Sequence, residues 1–428
     1  MEESNQIELE RVLLVGADTG EDENFERSME ELASLAEACY MEPVGVITQK
    51  MESINKGLYI GTGKVQEVKE AAQTLEAEVV IFDNALTPSQ LRNLQTQLEL
   101  PILDRTTLIL NIFEERAKTR EAKLQVEVAK LQYLLPRLVG LHDALTRQGG
   151  TSGSQSSRGA GEKKLELDRR KIEHRIAELR KELEDVEEER QVQRKRRQNA
   201  RIPLVALVGY TNAGKSTIMN HMVDTYVQDD TKKVLEKDML FATLETTVRK
   251  IAPGNNQDFL LSDTVGFIHK LPHGLVKAFN STLEEVKNAD LLLQVIDYSD
   301  PHYKEQMQVT EKTLQELGAG DIPMLYLFNK ADKCMEIEEL PVIKQEKNLY
   351  MSARHEDSLQ MLVDMILQNV YADYQNVELL IPYTQGQILS YFMENAEVQN
   401  QEYMENGTKI KVRCHRADAE KYKEYVNE

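Results

Sequence analysis

The stretch that decides the fold is "GYTNAGKST", residues 209–217, which directly follows the apolar run "IPLVALV". One glycine, four residues and then Gly214-Lys215-Ser216 is the spacing of a phosphate-binding loop between a buried strand and a helix. Glycines permit a tight turn that points backbone N–H groups at phosphate oxygens, and the helix dipole adds positive potential. We expect Lys215 to neutralise the β- and γ-phosphates and Ser216 to bind Mg²⁺. The loop alone does not choose between ATP and GTP.

Two later motifs choose guanine. "NKAD" follows the apolar strand "MLYLF", and its Asp332 can accept hydrogen bonds from guanine N1 and N2, a donor pair that adenine lacks. Asn329 is predicted to brace the loops, and the stem of Lys330 to lie along the base. "SAR" also follows a strand, and we expect the Ala353 N–H to donate to guanine O6. A site built on such polar pairing rejects the wrong base strongly.

The motif "DTVG" ends another apolar strand. Asp263 is expected to reach Mg²⁺ through water, and the Gly266 N–H to sense the γ-phosphate. Small GTPases of the Ras kind have Gln at the next position, where it orients the attacking water. Here that position is Phe267, so we expect slow hydrolysis alone and acceleration by a partner. Asn212 either helps to hold K⁺ or stabilises the turn.

The segment "DMLFATLETTV", residues 238–248, lies between these motifs and is expected to act as a switch. Thr243 is the first choice for the second Mg²⁺ ligand, and Thr246 and Thr247 stay as alternatives. Lys215, Thr243 and Gly266 are the expected catalytic residues. The predicted GTP-binding residues are Gly209, Tyr210, Thr211, Asn212, Ala213, Gly214, Lys215, Ser216, Thr217, Phe241, Ala242, Thr243, Leu244, Glu245, Asp263, Thr264, Val265, Gly266, Asn329, Lys330, Ala331, Asp332, Ser352, Ala353 and Arg354.

Length, composition and charge limit the class of protein. At 428 residues the chain predicts several domains, and its 41% hydrophobic and 29% charged residues suit a globular protein in the cytoplasm. The three cysteines stand in no metal-ligand spacing, which favours a reducing compartment. Net charge is −20, yet residues 116–201 hold 22 Lys and Arg against 14 Asp and Glu. A polyanion is therefore expected to bind only at this basic segment.

The pattern predicts an α/β multidomain chain with four parts. Residues 1–105 alternate strands and helices, as in a small α/β domain with a largely parallel sheet. Apolar residues spaced 4,3,4,3 predict a coiled-coil hairpin over 106–200, with a flexible Gly- and Ser-rich tip loop at 148–161. A P-loop GTPase domain with a doubly wound, mainly parallel sheet follows over 201–371. Residues 376–428 predict a small α+β domain.

The chain resembles the HflX family, in the Obg–HflX group of translation-associated GTPases. "GYTNAGKST", "DMLFATLETT", "DTVGFIHKLPHGLVKAFNSTLEEV", "NKAD" and "SAR" carry the resemblance in the GTPase domain. "YIGTGKVQE", "RGAGEKKLELDRRKIEHRI" and "LLIPYTQGQILS" extend it over nearly the whole chain. The tip loop is longer than is usual in the family, and Ala160 stands where proline is common.

The resemblance implies binding to the large ribosomal subunit, splitting of stalled or idle ribosomes with GTP bound, and departure after hydrolysis. It implies that the hairpin tip contacts rRNA near the peptidyl transferase centre. We also expect the protein to be monomeric in solution. Two other functions stay open: a GTP-dependent assembly or regulatory switch without splitting, and ATP-dependent RNA remodelling through "IGTGKV" (60–65). The candidate rRNA-contacting residues are Arg147, Arg158, Lys163, Lys164, Arg169 and Arg170.

Overall fold

A computed structural model describes residues 9–20, 24–148, 155–199, 202–227, 247–254, 256–270 and 285–426. They fall into two compact units. The first contains the described residues up to 193 together with 268–270, and the second contains the other described residues. Nowhere in these ranges does a helix combine the length and the apolar character that a membrane crossing requires.

The first unit is built on a four-stranded, all-parallel sheet in the order β2-β1-β3-β4. Its central strands are apolar and buried, as expected of a parallel sheet covered on both faces. The predicted alternation of strands and helices is confirmed. The elements are β1 (Glu10–Asp18), α1 (Phe25–Ala38), β2 (Met41–Lys50), α2 (Thr62–Thr74), β3 (Val79–Phe82), α3 (Pro88–Leu98), β4 (Ile102–Asp104) and α4 (Arg105–Arg116).

Helix α4 corrects the predicted start of the hairpin at residue 106. Leu108, Ile109, Ile112 and Phe113 are all buried, so this helix belongs to the core beside the sheet rather than to an extended arm. Ala117 ends α4. The hairpin itself is formed by α5 (Arg120–Gln148) and α6 (Gln155–Asn199).

The hairpin seam follows the predicted 4,3 spacing in its described part. Leu124 and Val128 of α5 pack with Leu179 of α6, which is fully buried, and Leu131 and Leu183 add to the cluster. Two ion pairs also join the helices. Arg175 Nε lies 2.8 Å from a Glu127 carboxylate oxygen, and Arg120 Nη2 lies 3.1 Å from one of Glu182. Both pairs are exposed, so the apolar seam supplies most of the stabilisation.

The predicted flexible tip loop at 148–161 is too long, because α6 begins at Gln155. A 45-residue helix is already nucleated, so extension through Gly159 and Gly161 costs only about 1 kcal/mol for each glycine. Residues 149–154 of the predicted loop lie outside the described part of the chain.

The second unit contains a seven-stranded sheet in the order β10-β11-β9-β8-β5-β7-β6. Its five central strands are parallel, and the two edge strands β6 and β10 are antiparallel to their neighbours. The predicted doubly wound, mainly parallel sheet is confirmed. The elements are β5 (Leu204–Gly209), α7 (Lys215–Tyr226), β6 (Thr247–Ile251), β7 (Phe259–Asp263), β8 (Leu291–Asp297), α8 (Tyr303–Glu316), β9 (Met324–Asn329), β10 (Val342–Lys344), β11 (Asn348–Tyr350) and α9 (Glu356–Val370).

Helices α7 and α9 pack against this sheet with fully buried side chains, among them Ile218, Met222, Leu362 and Ile366. This core holds the carboxyl ends of the parallel strands in place. The loops at that edge carry the predicted nucleotide motifs, where α/β sheets bind their ligands.

A three-stranded antiparallel sheet in the order β12-β14-β13 ends the second unit. One of its faces is covered through Phe392, which packs with Ile410 and Val412. The predicted small α+β fold is confirmed here. Its elements are β12 (Tyr374–Ile381), α10 (Gly386–Asn395), β13 (Glu397–Met404), β14 (Gly407–His415) and α11 (Arg416–Lys421).

A buried charge cluster lies at the carboxyl end of β3 in the first unit. Asp83, fully buried, accepts hydrogen bonds from Arg105 Nη1 at 2.6 Å, Lys270 Nζ at 2.6 Å and Ser28 Oγ at 2.9 Å. Arg105 also pairs with Glu31. Burial alone raises the pKa of Asp83, but the two cations hold it below its ordinary value.

Candidate nucleotide site

The phosphate-binding loop joins β5 to α7, and both of its motif glycines are sterically required. Gly209 has φ 142°, and a Cβ there would lie 2.2 Å from the carbonyl oxygen of Val295. Gly214 has φ 99°, and a Cβ there would lie 2.2 Å from Asn329 Nδ2. Any side chain at either position would displace a neighbour, which gives the glycines of the motif a physical reason.

Lys215 is the first residue of α7, and its side chain folds back over the loop. Its Nζ donates to the carbonyl oxygens of Gly209 at 3.0 Å and Tyr210 at 2.7 Å. Burial lowers the pKa of Lys215 to about 8, against the opposing effect of Asp263. The ammonium is thus held inside the loop, where a phosphate oxygen can approach it.

Ser216 and Asp263 bring together the two predicted metal-side groups. The Ser216 hydroxyl donates to Asp263 Oδ2 at 2.8 Å, and Asp263 is fully buried at the end of β7. Next to it, the Thr264 hydroxyl donates to the Leu207 carbonyl at 2.6 Å and ties the motif to β5. Hydroxyl and carboxylate oxygens are hard donors of the kind that Mg²⁺ prefers, so this pair fits the ion.

The end of the "DTVG" motif lies against the phosphate-binding loop. A Cβ on Gly266 would lie 2.8 Å from Thr211 Cα and 3.0 Å from Lys215 Nζ. The Phe267 N–H donates to the Gly209 carbonyl at 3.1 Å, and the Thr211 N–H donates to the Phe267 carbonyl at 2.9 Å. The Phe267 side chain is only 3% exposed. The position that carries Gln in small GTPases of the Ras kind therefore holds a buried phenyl ring. Its backbone is fixed by hydrogen bonds to the phosphate-binding loop.

Asn329 connects the phosphate-binding loop to the "SAR" loop. Its Nδ2 donates to the Ala213 carbonyl at 2.9 Å, and its Oδ1 accepts from the Ala353 N–H at 2.9 Å. The first contact agrees with the predicted bracing. The second contact involves the same Ala353 N–H that is predicted to donate to guanine O6, and that role stays a prediction. Asp332 and Arg354 are exposed beside them.

Lys330 contacts a carboxylate that sequence reasoning missed. Its Nζ lies 2.8 Å from Asp297 Oδ2 and donates to the Asn212 carbonyl at 2.9 Å. Asp297 is the last residue of β8 and stands directly across from Asn329 at the end of β9. An acidic residue that ends an apolar strand beside the "NKAD" strand is the signal that points to it.

Three family models match successive parts of the chain between residues 26 and 330. Residues 26–114 match the GTP-binding GTPase N-terminal model, 116–197 the GTP-binding GTPase middle region, and 204–330 the 50S ribosome-binding GTPase model. GTPase HflX of Caldanaerobacter subterraneus is 43% identical over 404 residues, which cover 94% of this chain and 90% of that protein. The chain belongs to the HflX family of GTPases. GTPase HflX of Escherichia coli K12 is 37% identical over 403 residues, covering 93% and 92%.

Solved structures also resemble this HflX-family chain. One is a GTP-binding protein from the archaeon Sulfolobus solfataricus in complex with GDP, which is 25% identical. The match covers 85% of this chain and 99% of that one, with a TM-score of 0.42.

The predicted switch of this HflX-family chain falls mostly outside the described residues. Phe241, Ala242, Thr243, Leu244, Glu245 and Thr246 all lie there. The alternative ligand Thr247 begins β6 and pairs in register with Asp263. Thr243 therefore stays a prediction, and so does the role of Thr247.

The remaining predicted GTP-binding residues lie around the same loops. Asn212 has φ 60°, a left-handed conformation that agrees with its interpretation as a turn residue. The Ala331 N–H donates to the Met351 carbonyl, and the Ser352 N–H donates to Ser358 Oγ. Thr217 lies in α7, and the other residues of this group with buried side chains are Tyr210, Thr211, Ala213, Val265, Ala331 and Ser352.

The second glycine-lysine stretch, "IGTGKV", has the geometry of a structural turn. The Gly61 N–H at the start of α2 donates to Gln49 Oε1 at 2.8 Å, and Lys64 Nζ lies 2.7 Å from Glu67 Oε2. A Cβ on Gly63 would meet nothing within 4 Å, so no close approach requires that glycine. These contacts favour the turn over a phosphate site.

The candidate rRNA contacts are only partly described. The side chains of Arg147, Arg158, Lys163 and Lys164 lie outside the described set. Arg169 and Arg170 both pair with Glu166, at 2.8 Å and 2.9 Å. An RNA phosphate would have to compete with Glu166 for these two guanidinium groups.

Proposed function

We propose that this HflX-family GTPase binds the large ribosomal subunit in its GTP-bound form and splits stalled or idle ribosomes. Hydrolysis is slow alone, is stimulated by the ribosome, and releases the protein. The match of residues 204–330 to the 50S ribosome-binding GTPase model supports the choice of partner. The protein is proposed to act as a monomer in the cytoplasm.

The observation that carries this proposal is the long basic hairpin. Helix α6 has 45 residues, which corresponds to roughly 68 Å of helix. The basic segment 116–201 spans both arms on a chain whose total charge is −20. An RNA surface would attract this segment and repel the acidic remainder, which orients the encounter. A short or acidic hairpin would give no such preference.

The nucleotide chemistry assigns a role to each loop. Asp332 selects guanine, Asn329 holds the base and phosphate loops together, and Lys215 binds the β- and γ-phosphates. Ser216 would bind Mg²⁺ directly, with Thr243 as second ligand and Asp263 acting through water. When bound, the ion neutralises charge on the phosphate oxygens. Because Phe267 cannot orient water, the partner completes the site. A K⁺ ion beside Asn212 is a second, independent way to supply charge.

The test measures GTP hydrolysis with and without large subunits, for the intact chain and after deletion of 150–160. We expect strong stimulation of the intact chain and little stimulation of the deletion variant. Sucrose gradients then compare whole ribosomes treated with GTP, a non-hydrolysable analogue or GDP. Conversion to subunits with GTP or the analogue is expected. Tight binding without conversion would instead identify an assembly or regulatory switch. Equal rates of GTP hydrolysis in K⁺ and in Na⁺ would contradict the proposal of a K⁺ ion beside Asn212.

A further inference from the structure

We propose that Asp297 is a positioning residue of the nucleotide site, which holds Lys330 on the phosphate-binding loop and so sets the residence time of the nucleotide. The proposal rests on the guanine-nucleotide site and is independent of ribosome splitting.

The Asp297 carboxylate is held on both of its oxygens. Oδ1 accepts from the Ser299 N–H at 3.0 Å and from the Ser299 hydroxyl at 2.6 Å, while Oδ2 lies 2.8 Å from Lys330 Nζ. Side-chain exposures are 18% for Asp297 and 23% for Lys330. A partly desolvated, hydrogen-bonded ion pair of this kind is stronger than an exposed one. The carboxylate therefore has one orientation, aimed at Lys330.

Lys330 transmits this orientation to the loop. It has φ 59°, which is unfavourable for a residue with a side chain, and its Nζ also donates to the Asn212 carbonyl at 2.9 Å. Asn212 itself has φ 60°. Two left-handed residues are thus joined through one ammonium group, and Asp297 supplies the charge that keeps this group in place.

The loop needs such an anchor because its peptide planes must face one way. In a trans peptide the C=O and N–H point in opposite directions. Lys330 holds the Asn212 carbonyl and Asn329 holds the Ala213 carbonyl, which fixes two successive peptide planes. The Ala213 N–H donates to the Tyr210 carbonyl at 3.4 Å inside the loop, and the Gly214 N–H is turned away from Asn329. Backbone N–H groups oriented in this way, such as that of Gly214, are what a phosphate-binding loop offers to its ligand. Loss of Asp297 frees the first clamp.

The test uses Asp297→Asn, which keeps the size of the side chain and removes its charge. Dissociation of a fluorescent GDP is followed by stopped flow, and GDP affinity by calorimetry. We expect dissociation about tenfold faster and affinity about tenfold weaker, as for loss of one charge-assisted hydrogen bond. The matched control is Asp321→Asn, which removes one exposed carboxylate of the same unit, and it should leave both quantities unchanged.

A double-mutant cycle separates positioning from a general structural effect. In a Lys330→Met background, Asp297→Asn should add little, because the group that it positions is gone. A full tenfold loss in that background, or unchanged GDP dissociation in the single variant, overturns the proposal. If Asp297→Asn does not fold, Ser299→Ala replaces it, with an expected acceleration of about threefold that also vanishes without Lys330. Failure of the unaltered chain to bind GDP would instead contradict the nucleotide site itself.

Discussion

Phe267 and Thr211 are joined through their backbones: the Thr211 N–H donates to the Phe267 carbonyl at 2.9 Å. The Phe267 N–H in turn donates to the Gly209 carbonyl at 3.1 Å. The residue that follows Gly266, the proposed γ-phosphate sensor, is therefore part of the phosphate-binding loop's own hydrogen-bond pattern.

Introducing glutamine at position 267 is not expected to make the chain a fast GTPase. Phe267→Gln places an amide where the side chain is 3% exposed, which costs about 1–3 kcal/mol of stability. The pinned backbone also keeps the amide away from water. Single-turnover GTP hydrolysis should stay slow while the melting temperature falls. Phe267→Leu, which keeps an apolar side chain, is the control. Hydrolysis at an activator-stimulated rate in Phe267→Gln would refute this.

Gly214→Ala should weaken GDP binding by about 100-fold. The new Cβ lies 2.2 Å from Asn329 Nδ2, so Asn329 must leave the Ala213 carbonyl, and φ 99° adds strain. Together these cost about 2–3 kcal/mol. Gly318→Ala is the matched control, since Gly318 also has a positive φ of 75° but its Cβ would meet nothing within 4 Å. Equal loss of GDP affinity in both variants would show that strain alone is responsible.

Asp83 should make the first unit sensitive to acid. Because its pKa lies below the unfolded value, the carboxylate adds stability above the unfolded pKa, and this is lost as pH falls through the folded pKa. Asp83→Asn should remove that part of the pH dependence. It should also cost about 1–3 kcal/mol at pH 7, because Arg105 and Lys270 lose an ionised hydrogen-bond acceptor while Arg105 keeps its pairing with Glu31.

Urea unfolding of the full chain between pH 7 and pH 3, followed by hydrogen exchange in β3, measures this effect. Glu76→Gln is the control, because the Glu76–Arg11 pair is exposed and worth less than about 1 kcal/mol. An Asp83→Asn curve parallel to that of the unaltered chain would contradict the assignment.

Leu179→Ala should loosen the hairpin without touching the nucleotide site. The side chain is fully buried against Leu124 and Val128, so its truncation costs about 2–5 kcal/mol locally. Hydrogen exchange in α5 and α6 should accelerate, and stimulation by large subunits should fall, while the basal GTPase rate stays the same. Leu167→Ala, at a position 55% exposed on the same helix, should change none of these. If large subunits stimulated GTP hydrolysis by Leu179→Ala as strongly as by the unaltered chain, the hairpin would not be needed for activation.

Long apolar strands and the nucleotide motifs could be predicted from the sequence, because each signal is local. β4 and β10 have three residues each, too few to show a period, and β6 has the polar sequence "TVRKI". Pairing with neighbouring strands makes these segments strands, and that information is not local.

Side-chain partners were predicted less well than backbone elements. The spacing of the seam gave Leu124, Val128 and Leu179 correctly, since a helical period specifies a face. By contrast, 187 positions separate Asp83 from Lys270, and no local pattern links them. The hydrogen bond from the Ala353 N–H to Asn329 Oδ1, across 24 positions, was likewise not predicted. Which groups form a hydrogen bond or an ion pair depends on their distance in the folded chain, and that distance cannot be read from a local sequence pattern.

The span of Asn329 from Ala213 to Ala353 has a consequence for ligand design. One amide joins the loop that is predicted to hold the phosphates to the loop that is predicted to hold the base, so a shift of either loop would disturb a hydrogen bond to the other. An inhibitor that mimics only the polyphosphate tail would contact the loop at one end of this bridge, and a nucleobase fragment alone would contact the loop at the other end.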